Sequence, residues 1–344
     1  MGETATPRRR RQAKPDAGPT LRDVARVAGV SIASASRALS RRDLVSEDLH
    51  DRVMAAIRAL AYVPNAAAQA LSGHPARLVG AVVSTLDDSL TMLGLESLTC
   101  ELAEQGVALV LTIAGNGTAA SEECVRRLVA RRVDAIAFCG GATPIEPVSL
   151  FPNRRVPSAS LDEAGFPATP ARSGFVHAKA LALGARYLQD LGHVRVAFWA
   201  IGGDRRIGAV RGALAGTGID VVDDVSAGDA NLGNGVGDAL DHWLALPMPP
   251  TAVICGSDPA AVAVLLECER RKIAVPAQLS VIGFGDTDLS RQARPTVSTL
   301  RVPAQEAGRA LARSLLAALD SRPDERPELV AKLVVRESTG PRRR

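Results

Sequence analysis

The apolar positions along the chain change their period twice. Residues 1–19, rich in Arg, Pro and Ala, show no period, which predicts a disordered basic arm. From Thr20 the spacing becomes helical. Thr20 with Asp23 reads as a capping box, and Leu21, Val24, Ala25 and Ala28 share one face. Gly29-Val30-Ser31 breaks this helix, and Ser31 is placed to cap a second, from Ile32 to about Leu39. Ser46, Glu47 and Asp48 open a third, whose Leu49, Val53, Ala56, Ile57 and Leu60 form one stripe. Pro64 stops it. An Ala-rich segment from Asn65 to Ser72 then precedes Gly73-His74-Pro75, which reads as a linker.

The second change comes at Leu78. Apolar runs at Leu78–Val83, Ala108–Ile113, Ala135–Cys139, Val194–Trp199, Ala252–Cys255 and Ser280–Phe284 read as strands. Between them lie the helical stretches Leu95–Gln105, Glu122–Arg131, Ala178–Leu191 and Ala260–Lys272. This alternation predicts an α/β body of doubly wound parallel sheets behind an all-α head. The body is too long for one ordinary open sheet. Two lobes are expected, with a ligand cleft beyond the carboxyl ends of the strands.

Charge separates the same two parts. Of 344 residues with a net charge of +4, the first 76 hold 12 Lys/Arg and 7 Asp/Glu, against 29 and 30 in the rest. A basic head on a neutral body points to nucleic acid as a partner. No apolar run approaches the ~18–20 residues of a membrane span. The basic Arg8–Arg11 and Lys14 have no apolar segment after them, so a secretory leader is not expected and a cytoplasmic location is. The five cysteines form no CxxC pair and are expected as small buried apolar residues in a reducing compartment. The histidines are scattered, so neither metal nor cofactor is expected. Gly233-Asn234-Gly235-Val236-Gly237 lacks the full dinucleotide fingerprint and reads as the flexible start of a helix. With no phosphate loop and no nucleophile motif, an enzyme is not expected.

A helix, a glycine turn and a polar-faced second helix is the arrangement that places the second helix in a major groove. Ser31, Ser34 and Ser36 are small enough to let that helix approach base edges, and Arg37 can donate bidentately to guanine. An ordinary three-helix bundle with serine caps and a surface arginine fits the same spacing.

The literal residues add more. Leu21-Arg22-Asp23-Val24-Ala25-Arg26-Val27-Ala28-Gly29-Val30-Ser31, then Ala35-Ser36-Arg37-Ala38-Leu39, Val45-Ser46 and Tyr62-Val63-Pro64-Asn65, strongly resemble the head of the lactose-repressor (LacI/GalR) family. In the body, Leu191-Gly192-His193-Val194-Arg195-Val196-Ala197-Phe198, Ser280-Val281-Ile282-Gly283-Phe284 and Arg294-Pro295-Thr296-Val297-Ser298-Thr299 resemble that family's segments. The resemblance implies a two-lobed, type I periplasmic-binding-protein-like body. The domains expected are an arm over 1–19, a helix-turn-helix over 20–64 and a hinge helix with linker over 65–76. The body follows over 77–340, with one lobe about 77–173 plus 296–322 and the other about 174–295 plus 323–340.

The resemblance also assigns roles. Ile32, Ala33 and Arg37 would face bases, while Thr20, Ser31, Ser34 and Ser36 would contact phosphates or cap helices. Asn65, Ala68, Gln69 and Leu71 fall on a hinge helix formed on operator DNA, with Leu71 as a minor-groove wedge. Arg206 falls on the effector-binding arginine and Ser257-Asp258 on an Asn-Asp pair, while Gly285 stands where sugar-binding members carry an acid. A sugar effector, another metabolite and no effector at all remain open. The expected partners are double-stranded operator DNA, a small-molecule effector and a second copy of the chain, in a homodimeric repressor on a pseudo-palindromic operator. The rival, a small-molecule-binding protein of the same fold without DNA function, leaves the head unexplained.

Overall fold

The computed structural model describes residues 18–40, 42–63, 77–115, 117–142, 145–153, 155–162, 172–175, 177–201, 218–227, 232–323 and 329–342. The chain divides into two compact units, Met1–Ala76 and Arg77–Arg344.

In the first unit, helices α1 (Leu21–Ala28), α2 (Ile32–Ser40) and α3 (Glu47–Leu60) form the expected bundle, with a short 3-10 turn at Arg42–Leu44. Its buried residues are two valines, Val24 and Val53, and five alanines, Ala25, Ala28, Ala35, Ala38 and Ala56. Such small side chains let the helices approach closely but bury little apolar area, so polar clamps matter more here than in a larger core.

The second unit holds two sheets. The first has the order β2-β1-β3-β4-β5, from β1 (Leu78–Val83), β2 (Ala108–Ile113), β3 (Ala135–Cys139), β4 (Ser158–Asp162) and β5 (Arg172–Phe175). The second has the order β11-β10-β9-β8-β6-β7. It comprises β6 (Arg195–Ile201), β7 (Asp220–Ala227), β8 (Ala252–Cys255), β9 (Ser280–Phe284), β10 (Ser298–Arg301) and β11 (Lys332–Val334). All pairings are parallel except β10 with β11. The central strands β1, β3, β8 and β9 are buried nearly throughout, which is why their sequences are continuous apolar runs.

The helices are α4 (Ser89–Glu104), α5 (Thr118–Ala130), α6 (Pro147–Leu150), α7 (His177–Asp190), α8 (Leu232–Ala245), α9 (Asp258–Arg270), α10 (Asp288–Gln292) and α11 (Ala304–Leu319). Gly233, Gly235 and Gly237 lie inside α8 rather than ahead of it. Four cysteines are buried, whereas Cys100 is exposed. Among the described residues, no helix is long and apolar enough to cross a membrane.

One expected boundary moves. Residues 298–301 were placed by the sequence in the first lobe, yet β10 pairs with β9 in the second sheet, Ser298 beside Ile282 and Leu300 beside Phe284. The chain therefore passes between lobes after β10, and α11 packs Ala307, Leu311, Ala312 and Leu315 against the first sheet. Gly308 permits this docking: a Cβ there would collide with the Gly94 carbonyl of α4. Among the described elements the chain changes lobe three times, between β5 and α7, between β10 and α11, and between α11 and β11.

The last segment straps the second sheet. Val281 N donates to Ser338 O at 2.8 Å, and Arg342 N donates to Leu191 O at 2.9 Å. His193 bridges the Thr251 hydroxyl at Nδ1 (2.8 Å) and the Gly340 carbonyl at Nε2 (3.0 Å). Burial holds this imidazole below its usual pKa, although the Gly340 carbonyl favours the charged form.

Candidate functional site

The head presents the N-terminal turn and Arg37 of α2 to solvent. Thr20 precedes α1, its backbone N–H donating to Asp23 Oδ2 at 3.0 Å and its hydroxyl to the same oxygen at 2.7 Å. Those bonds, with Arg26 at 3.1 Å, hold the Asp23 carboxyl down to about 2. α1 ends at Gly29, whose φ of 67° is the left-handed conformation that glycine adopts without strain. Ser31 Oγ accepts from Ser34 N at 3.0 Å and lies 2.9 Å from Ser34 Oγ, capping α2.

On α2 the pattern divides cleanly. Ala35 and Ala38 are buried, while Ser31, Ile32, Ala33 and Arg37 are exposed and Ser34 and Ser36 half-buried. Ile32 is 45% exposed although apolar, a position that folding of the head does not require. Among the described residues nothing pairs with the Arg37 guanidinium. Its donors are free for an acceptor outside the head, and guanine offers two in the matching geometry.

Arg52 on α3 is a residue the sequence reading missed. Its Nη2 donates to the carbonyls of Ala28 (2.7 Å) and Gly29 (3.2 Å), the two residues that end α1. It thereby fixes the turn that aims α2. The sequence signal was faint, an arginine at an ordinary helix position 23 or 24 residues from its acceptors.

Residues 20–65 match the family model described as bacterial regulatory proteins, lacI family, and residues 185–339 match a periplasmic binding protein-like domain. The head is thus similar to the lacI family of bacterial regulatory proteins, and the second lobe to periplasmic binding protein-like domains. The HTH-type transcriptional repressor PurR of Vibrio cholerae serotype O1 (strain M66-2) is 27% identical over 335 residues, covering 93% of this chain and 99% of the relative. The ribose operon repressor of Escherichia coli (strain K12) is 28% identical over 301 residues, covering 84% and 89%. In fold, a crystal structure of the lac repressor dimer bound to operator and the anti-inducer ONPF aligns with a TM-score of 0.79 at 24% identity, covering 94% of this chain and all of that one.

In the body, two of the expected effector positions lie side by side, with Asp258 Oδ2 3.5 Å from where a Gly285 Cβ would stand. Arg206 lies outside the described residues, as do Asn65, Ala68, Gln69 and Leu71 of the expected hinge helix. Ser257 is the N-cap of α9, its Oγ accepting from Ala260 N at 3.2 Å. Asp258, expected at the effector site, is committed to hydrogen bonds within the protein. It is fully buried, and both carboxylate oxygens are taken: Oδ1 by the Thr299 hydroxyl (2.6 Å), Oδ2 by Thr287 N (2.6 Å) and the Thr287 hydroxyl (2.9 Å). It ties α9 to the loop after β9 and to β10, which is a positioning role.

Gly285 lies beside Asp258. It is buried at φ +130°, and a Cβ there would meet Leu90 Cδ2 at 3.2 Å and Thr287 Cγ2 at 3.4 Å. Leu90 comes from α4 of the first lobe and packs with Phe284, Leu300 and Val302 of the second. Where sugar-binding relatives project an acid, this chain has an apolar contact between lobes. Asp286 beside it is held by Arg301 Nε at 2.5 Å, by Arg336 Nη2 and by Arg291 Nη1 at 3.3 Å. Burial works to raise its pKa, but the Arg336 and Arg301 guanidiniums prevail and keep it low.

Proposed function

We propose that the protein is a sequence-specific, DNA-binding transcriptional repressor that acts as a homodimer on a pseudo-palindromic operator in the bacterial cytoplasm, without catalytic activity. The observation that carries this reading is the exposure of Ile32, Ala33 and Arg37 on α2, with Arg52 fixing the approach of that helix. Arg37 reads guanine. Ile32 and Ala33 bear no donors, so they discriminate through thymine methyl contacts or by exclusion. Thr20, Ser31, Ser34 and Ser36 set the register on phosphates. Asn65, Ala68, Gln69 and Leu71 form the hinge, with Leu71 as the wedge. The identified relatives are repressors, and the lac repressor neighbour is a dimer on operator.

The body modulates this binding through a small molecule in the interlobe cleft, a coupling between two sites through one two-state element. Arg206 and Ser257 remain candidate contacts. The apolar Leu90–Gly285 meeting disfavours a neutral sugar, because hydroxyl pairs need the carboxylate that this position lacks.

The test is a gel-shift titration at physiological salt with DNA from upstream of the protein's own gene. A fragment bound at least about 1,000-fold tighter than random DNA supports the reading. Equal affinity for both overturns it and favours the ligand-binding protein without DNA function.

A further inference from the structure

The second lobe carries a groove at the opposite end of its sheet from the cleft. It encloses about 820 Å³, within the size range of small-molecule sites, and gathers residues at or just before the starts of β6, β7, β8 and β9. The cleft candidates follow the other ends of β8 and β9. The seven residues of β6 span about 20 Å between the two ends.

The lining is amphipathic in a particular way. Trp243 is almost wholly buried, while its neighbours Leu244 and Met248 are 52% and 61% exposed. The two buried side-chain polar atoms left without a partner here are both donors. The buried Trp243 Nε1 and Arg195 Nε have no hydrogen-bond acceptor among the described residues. The Arg342 guanidinium has no ion-pair partner among them either, although its backbone is tied to Leu191. Indole and guanidinium groups can only donate. Asp220 is the one lining carboxylate, and it already accepts from Arg195 Nη1 at 2.9 Å. Two guanidiniums thus face one carboxylate beside an apolar floor.

We propose that this groove is a second ligand site, for a small aromatic or alicyclic carboxylate whose ring rests on Leu244 and Met248 above the buried Trp243 and whose carboxylate accepts from Arg195 and Arg342. No covalent step is involved. The proposal is independent of the head's reading, since ligand binding is measured without DNA.

Dansylglycine is a suitable probe, titrated into the full chain while tryptophan is excited and dansyl emission is read. The expected result is saturable binding, one probe per chain. Leu244→Glu and Arg342→Glu each weaken it at least about tenfold, and the uncharged dansylamide binds wild type at least about tenfold more weakly than dansylglycine. Both residues are exposed, and Leu244→Glu decides the matter should Arg342→Glu loosen the C-terminal strap. Absence of saturation below about 1 mM overturns the site, as does binding by Leu244→Glu equal to wild type. Dansylamide binding as tightly as dansylglycine overturns the carboxylate assignment. A change in sedimentation mass of Leu244→Glu with unaltered probe binding makes the face a protein contact and sinks the ligand.

Discussion

The turn between α1 and α2 and the loop after β9 are both sharp corners with left-handed backbone, and both are held by arginine, but by different chemistry. At the first, Gly29 (φ 67°) is fixed by one guanidinium donating to two neutral carbonyls. At the second, Gly285 (φ 130°) and Asp286 (φ 57°) are fixed by Arg291, Arg301 and Arg336 around a carboxylate only 3% exposed. The head clamp leaves no charge buried when it opens. The body clamp, broken from the acid side, leaves guanidiniums facing one another across a site built for an anion.

Asp286→Ala should therefore have the largest effect, a loss of about 3–5 kcal/mol in body stability by urea unfolding, the usual result of removing one partner from a buried ion pair. A loss below about 1 kcal/mol would mean that the arginines simply turn to solvent. Arg52→Ala should cost about 1.5–3 kcal/mol, seen as lost amide-exchange protection in α1 and α2 and not in the body. Protection that falls equally in both units breaks the comparison. Arg37→Ala should leave both corners intact and cost roughly 1–3 kcal/mol of operator affinity, with relaxed base preference, in gel shifts at fixed salt. Unchanged specificity removes Arg37 from base reading.

The smallest effect is the pH dependence. Because Asp286 titrates lower in the folded chain than unfolded, its stabilisation is complete above the ordinary carboxylate range near pH ~4 and fades as pH falls through the depressed value. Melting of Asp286→Asn should follow pH less steeply in that acid range, by no more than about 1.4 kcal/mol per pH unit. Parallel curves for variant and wild type would assign the acid sensitivity elsewhere.

The sequence made the buried strands legible and hid the rest for physical reasons. β1, β3, β6, β8 and β9 were readable as apolar runs because burial on both faces leaves little room for polar residues, whereas β2 was readable from its apolar residues although it is a partly exposed edge strand. β4 escaped notice because its buried positions include Ser158 and Ser160, and β7 because it is an edge strand written with three aspartates. β11 is only three residues long. α4 begins six residues ahead of the expected Leu95 because Asp88 caps it, accepting from Leu90 N at 3.4 Å. In the head, the split of α2 into alanine inside and Arg37 outside was visible in its period. Arg52 was not, and neither was the inward commitment of Asp258, whose threonine partners lie 29 and 41 residues away. Periodicity reports which face is wet; it is silent about which distant donor an acid will meet.

The three passages of the chain between lobes also set the mechanics of the body. A single tether would leave two lobes free to swivel, and two would still allow rocking about the line joining them. Three backbone spans, one of them the short Val302–Pro303 step between β10 and α11, act as a strap hinge. Sliding would have to stretch peptide backbone, so the permitted motion is opening and shutting about one edge. Work done anywhere on the cleft is thereby converted to rotation about a defined axis.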